Sequence, residues 1–188
     1  QQHRDILYLS GVDQEESILV LCPNAPYKHL REMLFLKETS EHIAIWEGEK
    51  LTKERAFEVS GIKSVYWLTE FDKILNELMT YTDTMYINTN EHYRAAVETE
   101  TREARFVKNW KEKYPAHQVA KSNPILQRLR SIKEKEELEQ IQAACNITEK
   151  GFRAVLQYVK PNVMEYEIEA EFAHEFLRNR SKGFAYTP

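Results

Sequence analysis

The feature that most constrains the fold is a change of hydrophobic pattern at Ser122-Asn123-Pro124. Before this point short apolar runs alternate with longer helical patterns, and after it only helical periodicity remains. Alternating strands and helices are typical of a layered α/β protein. We therefore predict the α/β class, with a mixed sheet flanked by helices over residues 1–122. A second domain, built of helices alone, should occupy residues 123–188.

The first half carries apolar runs of strand length, separated by turn-forming residues such as Gly11, Asp13 and Pro23-Asn24-Ala25-Pro26. The predicted strands are residues 6–9, 17–22, 33–36, 43–46, 64–67 and 84–87. Helices are predicted over residues 51–59, 70–79 and 94–113. Gly61 should end the first of these helices, because glycine readily takes the left-handed conformation found there.

Two amphipathic helices are predicted in the second half. The first has apolar residues at spacings of three, four and seven, namely Leu138, Ile141, Cys145, Phe152, Val155 and Val159. The second follows Lys160-Pro161-Asn162, where Asn162 and Glu165 can form a capping box. Its apolar residues, Met164, Ile168, Phe172 and Phe176, fall every four positions. Both helices need a surface to cover, and residues 183–188 resemble the start of another extended segment, so we expect an unfinished domain.

Composition and charge exclude several classes of function. Hydrophobic residues make up 42% and charged residues 30% of the chain, the balance of a soluble globular protein. No apolar run approaches the roughly 20 residues of a membrane span, and no secretory signal precedes the first predicted strand. The net charge of -4 is spread over mixed signs, which disfavours nucleic-acid binding. Cys22 and Cys145 lie in apolar patterns and indicate buried free thiols of a cytoplasmic protein.

Motifs for nucleotide binding and for serine-based hydrolysis are missing. The five glycines form no phosphate-binding loop, and Ser10-Gly11 and Ser60-Gly61 lack the G-x-S-x-G elbow. Glu171-Phe172-Ala173-His174 has the spacing of a metal motif, but carboxylate-bridged di-iron sites need it twice. A zinc-protease motif would need a second histidine where Arg178 stands. A solvent-exposed helix face is the simpler interpretation.

At three places the sequence resembles the creatinase, prolidase and aminopeptidase P family, the pita-bread metallopeptidases. Residues 4–11 followed by 16–21 resemble the strand pair of the family's N-terminal domain, and Trp46-Glu47-Gly48 followed by Leu51 resembles the W-x-G-x-x-L element of the aminopeptidase P branch. The third and most specific match resembles the start of the catalytic domain; it comprises residues 129–133, Glu136-Glu137, Ile141, Ala144, Lys160-Pro161 and Glu165. Asn162 stands where the family usually has glycine, and we expect little consequence from this departure.

The resemblance implies a chemistry as well as a fold. Family members cleave the bond between an N-terminal residue and a following proline, using two divalent metal ions that are commonly manganese. Two Asp, one His and two Glu hold these ions, and all five lie beyond the segment that ends at Pro188. The implied protein is an Xaa-Pro aminopeptidase, truncated here at both ends. This piece should therefore contain no metal ligand and no catalytic residue, and should be inactive.

Trp46 is the one candidate for substrate contact. It resembles the N-domain tryptophan that, in oligomeric aminopeptidases P, covers the peptide in a neighbouring subunit's active site; simple packing is the alternative. The resemblance also implies Xaa-Pro peptides as partners and a homodimer or homotetramer, without nucleic acid or membrane. Two alternatives stay open: a prolidase, which takes only dipeptides, and a non-catalytic pita-bread module that binds proteins.

Overall fold

The computed structural model describes residues 4–40, 42, 45, 48–88 and 99–185, which belong to two compact units. The units comprise Gln1–Gln127 and Arg128–Pro188. The first contains strands and helices, which confirms the α/β class, and the described part of the second contains helices. The division between the units falls within one helix, Asn123–Ser131. The domain limit at residues 122 and 123 stays a prediction.

A three-stranded sheet forms the centre of the first unit. Its strands are β1 (Ile18–Leu21), β2 (Glu32–Leu36) and β3 (Ser64–Trp67), which confirms three of the predicted strands. β1 runs antiparallel to β2, and β2 runs parallel to β3. Residues of β2 alternate between two core clusters: Met33 and Phe35 pack in one, Leu34 and Leu36 in the other. The central strand is therefore buried on both faces, which explains its unbroken apolar run.

The second sheet of this unit has two parallel strands. β4 (Thr84–Ile87) was predicted, and it pairs with β5 (Gln118–Lys121), which was not. β5 escaped prediction because Gln118 and Lys121 flank only two apolar residues, so the segment has no strand-length hydrophobic run. Its conformation depends on the hydrogen bonds that β4 supplies.

Four α-helices that lie wholly within the first unit are described. They are α1 (Arg4–Ser10), α2 (Lys53–Ser60), α3 (Phe71–Met79) and α4 (Arg102–Lys113). α1 and α2 end with the same Ser-Gly pair. Each serine hydroxyl donates to the carbonyl four residues earlier at 2.7 Å, and each glycine is left-handed, with φ of 69° at Gly11 and 72° at Gly61. These two serines are therefore helix-capping residues, and the predicted role of Gly61 is confirmed.

Three predictions in this unit need correction or fall partly outside the described residues. The predicted strand 6–9 is wrong, because those residues lie in α1, and a short apolar run cannot distinguish a helix from a strand. Of the predicted strand 43–46 only Ile45 is described, and it is helical. The helix predicted from residue 94 begins instead at Arg102, because Thr101 caps it by accepting the amide hydrogen of Ala104 at 3.1 Å. Residues 94–98 lie outside the described part.

The second unit contains two helices packed on each other. α5 (Asn123–Ser131) leads into α6 (Lys135–Tyr158) and α7 (Glu165–Arg178). A group of phenylalanine rings joins α6 to α7: the ring centre of Phe172 lies 5.2 Å from Phe152, 4.7 Å from Phe176 and 5.9 Å from Phe184. Gly151 of α6 is buried beside these rings, whereas much of the predicted apolar stripe, including Leu138 and Ile141, is exposed.

The predicted capping box at Asn162 is wrong. Asn162 has a φ of 71°, in the left-handed region, and lies in the turn before the helix. The N-cap residue is Met164, whose amide donates to the Glu167 carboxylate at 2.8 Å. Asparagine tolerates the left-handed region better than other residues with a side chain. This backbone conformation therefore favours glycine at position 162, and asparagine is the residue with a side chain that tolerates it best.

Candidate functional site

The element that carries the candidate substrate residue is described only from Gly48 onward. Trp46, the predicted substrate contact, lies outside the described residues. Gly48 has a φ of 80°, a left-handed conformation that residues with a Cβ rarely adopt. Leu51 packs against the core cluster formed by Val12, Leu34, Leu36, Ala56 and Ile62. Thr52 then caps α2 by accepting the Arg55 amide hydrogen at 3.2 Å. The end of the element is thus anchored in the core.

Two side chains from the loop after α1 bind this segment, which is defined here as the 48–52 segment. The amide of Leu51 donates to Gln14 Oε1 at 2.7 Å. Lys50 forms an ion pair with the carboxylate of Glu15, and its hydrogen bond is the main reason that the pKa of Glu15 is lowered. The loop that joins the two parts of the first resembling element therefore contacts the second resembling element.

The same loop and segment line an open cleft of about 530 Å³. Its charged side chains include Asp13, Glu15 and Glu49 as acids and Lys50 and Arg55 as bases. Arg55 is also paired with Glu58 at 2.6 Å. With both signs interleaved, the cleft has no dense field of one sign that would select a polyanion or a polycation.

The described residues do not fit a dinuclear metal centre. Residues 4–40, 42, 45, 48–88 and 99–185 contain no group of three or more His, Cys, Asp or Glu side chains that could hold a metal ion. In the E-x-x-H sequence of α7, for which a solvent-exposed helix face was predicted, His174 is exposed and Glu171 is half-buried. A neighbouring acid, Glu167, already caps the helix through the Met164 amide.

Sequence reasoning missed Gln14 and the pair formed by Lys50 and Glu15. Gln14 and Leu51 are 37 positions apart, so no local pattern could reveal their contact.

The prediction that both cysteines are buried free thiols is corrected in part. Both cysteines are free, but Cys145 is exposed and Cys22 half-buried, because the described structure does not cover the α6 stripe that carries Cys145.

Within the described part of the chain, the structure has no helix with the length and apolar character needed to cross a bilayer.

Comparison with protein families gives two matches, in order along the chain. Residues 1–87 match the model described as aminopeptidase P, N-terminal domain, and residues 139–188 match metallopeptidase family M24. The Xaa-Pro aminopeptidase of Escherichia coli K12 is 25% identical over 187 residues, which cover 99% of this chain and 42% of that protein. Human Xaa-Pro aminopeptidase 3 is 26% identical over 190 residues, covering 100% of this chain and 37% of that protein.

A dipeptidase is also among the relatives. The Xaa-Pro dipeptidase of Pyrococcus furiosus is 28% identical over 137 residues, covering 73% of this chain and 36% of that protein. The chain thus spans about two fifths of the length of the curated relatives it matches.

Solved structures give the same fold. A Bacillus anthracis protein assigned to aminopeptidase P superimposes with a TM-score of 0.86 at 28% identity, covering 98% of this chain and 43% of that one. For Pseudomonas aeruginosa aminopeptidase PepP the TM-score is 0.83 at 22% identity, covering 99% of this chain and 42% of that one. Zinc-substituted E. coli aminopeptidase P in complex with product gives 0.76 at 22% identity, covering 95% of this chain and 40% of that one.

Proposed function

Because the chain belongs to the aminopeptidase P family of metallopeptidases, with the N-terminal domain followed by the start of the M24 domain, we propose that it is part of an Xaa-Pro aminopeptidase. The observation that carries this proposal is the ordered match to both domains along one chain. The 0.86 superposition over 98% of the chain supports it. In this proposal residues 1–122 form the N-terminal domain and residues 123–188 begin the catalytic domain.

The proposed reaction releases the N-terminal residue from peptides with proline in second position. A divalent metal pair, when bound, supplies carbonyl polarisation and water activation, and we propose manganese for it. As the family resemblance implies, the ligands would lie outside this chain, and we expect the 188 residues alone to be inactive.

The N-terminal domain would contribute to substrate binding through Trp46. Tryptophan offers a large, rigid surface for covering a peptide. In the complete enzyme, Trp46→Ala should raise KM for longer Xaa-Pro peptides and change kcat less. Ile45→Ala is a matched control, since Ile45 is the preceding residue and is 75% exposed. Unchanged kcat and KM for Trp46→Ala would contradict a role of this residue in substrate binding.

The activity is tested with the complete protein and three substrates: an Xaa-Pro dipeptide, a longer Xaa-Pro peptide and the same longer peptide with alanine in place of proline. Release of the first residue is followed by mass spectrometry, with and without a metal chelator. We expect metal-dependent cleavage of the longer Xaa-Pro peptide and little cleavage of the alanine peptide. Cleavage of the alanine peptide at an equal rate would contradict the proposal.

A prolidase is the second candidate, favoured by the 28% identity to the P. furiosus dipeptidase. That match covers 73% of the chain, against 99% and 100% for the two aminopeptidases described above. Cleavage of the dipeptide alone would favour the prolidase. Loss of all cleavage, with the protein folded and supplied with metal, would favour a non-catalytic module that binds proteins.

We also propose a cytoplasmic location and a homodimer or homotetramer. The location is supported by the two cysteines, neither of which forms a disulfide. Light scattering of the complete protein would test the assembly, and a monomer at micromolar concentration would contradict it.

A further inference from the structure

In α2 and α6 an arginine is paired with a glutamate one helical turn away. The guanidinium group of Arg55 lies 2.6 Å from the Glu58 carboxylate, and that of Arg153 lies 2.7 Å from the Glu149 carboxylate. Opposite charges three or four residues apart stabilise a helix, whereas like charges at this spacing destabilise it. These helices therefore neutralise basic residues within their own sequence.

The basic residues of α4 depart from this pattern. Arg102, Arg105, Lys108 and Lys111 follow one another at intervals of three residues, so each lies beside a residue of the same charge. Within the described part of the chain none of the four side chains forms an ion pair. Arg105 donates instead to the backbone carbonyl of Glu100 at 2.8 Å. The row of four like charges therefore costs helix stability, and no described carboxylate compensates for it.

The row lies on the side of α4 that faces away from the core. On the opposite side, Trp110 is buried in the core cluster of the first unit and Phe106 packs against it. The four residues of the row are exposed, and they are called the basic face of α4 here. At 1.5 Å per residue, the 12 residues of α4 make a helix of about 18 Å. The basic face is thus long enough to contact several charges of one partner.

The composition of the exposed side of α4 favours an acidic polypeptide over other anions. A nucleic-acid backbone carries only negative charge, and it would meet the exposed carboxylate of Glu112, which lies beside Lys111. Helices that bind membrane surfaces also expose apolar residues for insertion, but the uncharged exposed residues of α4 are Ala104 and Asn109. A polypeptide can place carboxylates opposite the basic face and a lysine opposite Glu112.

We propose that the basic face of α4 binds an acidic helical segment of a protein partner. The basic residues are spaced about 4.5 Å along the helix axis, and glutamates three residues apart on a second helix have the same spacing. Two such helices can therefore pair their charges along their length. Exposed ion pairs are individually weak and screened by salt, so binding requires several pairs at once. The proposed peptidase activity uses no residue of this surface, so the two proposals are independent.

The test measures binding of labelled probes to the complete protein by fluorescence anisotropy at low salt. The main probe is an alanine-based helical peptide of about 20 residues, long enough to span α4, with glutamates at intervals of three and four. The comparison probes are the same peptide with glutamine in place of glutamate and a single-stranded RNA of equal charge. We expect binding of the glutamate peptide, none of the glutamine peptide and weaker binding of the RNA. Salt at about 1 M should abolish binding, because it screens charges beyond about 3 Å.

Arg102→Glu combined with Lys108→Glu is the decisive variant. It makes the charges of the row alternate, so the unfolding temperature should rise or stay the same. Binding of the glutamate peptide should nevertheless weaken at least about tenfold, because two ion pairs are replaced by repulsions. Lys28→Glu combined with Lys63→Glu is the matched control, since both lysines are exposed outside α4 and the net charge changes equally. The control should weaken binding less than about twofold.

Four results would overturn the proposal. They are no binding of the glutamate peptide by the wild-type protein, equal binding by the α4 variant and the wild type, an equal loss in the control, and tighter binding of the RNA than of the peptide. The last result would favour a nucleic acid instead. If the α4 variant does not fold, Arg102→Gln with Lys108→Gln takes its place, with an expected loss of about threefold. Unchanged binding by that variant would also overturn the proposal.

Discussion

Gly151→Ala tests the packing of α6 on α7. Gly151 is buried within the 24-residue helix α6, where a glycine is normally a disadvantage. A Cβ atom at this position would lie 2.8 Å from Cδ2 and Cε2 of Phe172 and 3.2 Å from Cε2 of Phe176. Carbon atoms that are not bonded normally stay well beyond 3 Å, so the added methyl group would force a ring to move.

Two opposing contributions determine how much Gly151→Ala changes the free energy of unfolding. Replacing a helical glycine by alanine stabilises an exposed helix by about 1 kcal/mol. Adding a methyl group to a packed core costs about 1–3 kcal/mol. Phe172 is held between Phe152, Phe176 and Phe184, with centroid distances of 5.2, 4.7 and 5.9 Å, so it has little room to move. We therefore expect a net loss of about 1 kcal/mol.

The assay is urea unfolding followed by circular dichroism, for Gly151→Ala alone and in a Phe172→Leu background. Leucine removes the Phe172 ring atoms but leaves Cε2 of Phe176 at 3.2 Å from the new Cβ. The same glycine substitution should therefore cost less in that background than in the wild-type protein. A stabilising effect of Gly151→Ala in the wild-type protein would refute the close approach between α6 and α7.

Four other predictions follow from the structure. Asn162→Ala should lower the free energy of unfolding by about 1 kcal/mol and Asn162→Gly should not, because the φ of 71° penalises a Cβ; equal stability in urea unfolding would contradict this. The pKa of Glu70 is lowered mainly by its hydrogen bond from the Trp67 amide at 3.0 Å, with Lys53 adding to it. Because the folded pKa lies below the unfolded value of about 4.3, this contribution is present above pH 5 and lost as the pH falls through the folded pKa. Glu70→Gln should thus make the free energy of unfolding depend less on pH at acidic pH. An unchanged pH dependence would exclude the hydrogen bond between Glu70 and the Trp67 amide. The 188-residue chain should show no two-site binding of Mn²⁺ by calorimetry, whereas tight stoichiometric binding would place ligands within it. At high concentration the same chain should associate through exposed residues of α6 such as Leu138 and Phe152, which are 56% and 58% exposed, and full hydrogen-exchange protection in a monodisperse sample would argue against this.

The sequence predicted those parts of the fold that local patterns determine. β2 was predicted because it is buried on both faces and its apolar run is continuous. The end of α2 was predicted because Gly61 supplies a left-handed residue that few others can. Amphipathic spacing predicted α6 and α7, but it could not predict how closely the two helices approach each other. The reason for a glycine at position 151 is visible only in the structure, where the rings of Phe172 and Phe176 leave no room for a Cβ atom.

The missed features depend on contacts between distant residues. β5 pairs with β4 across a whole helix, and its own residues carry no strand pattern. Gln14 binds Leu51 over 37 positions. At Asn162 the sequence was compatible with two roles, a helix cap and a left-handed turn residue, and the backbone conformation decided for the second. For the candidate site, the family resemblance supplied Trp46, and the structure added the 48–52 segment.

The proposal that this chain is part of a metal-dependent Xaa-Pro aminopeptidase is tested most directly by reading the coding sequence beyond the codon for Pro188. We expect an open frame that encodes two Asp, one His and two Glu in the order typical of the family. A frame that continues through the catalytic domain without these five residues would contradict it and would favour a non-catalytic protein-binding module.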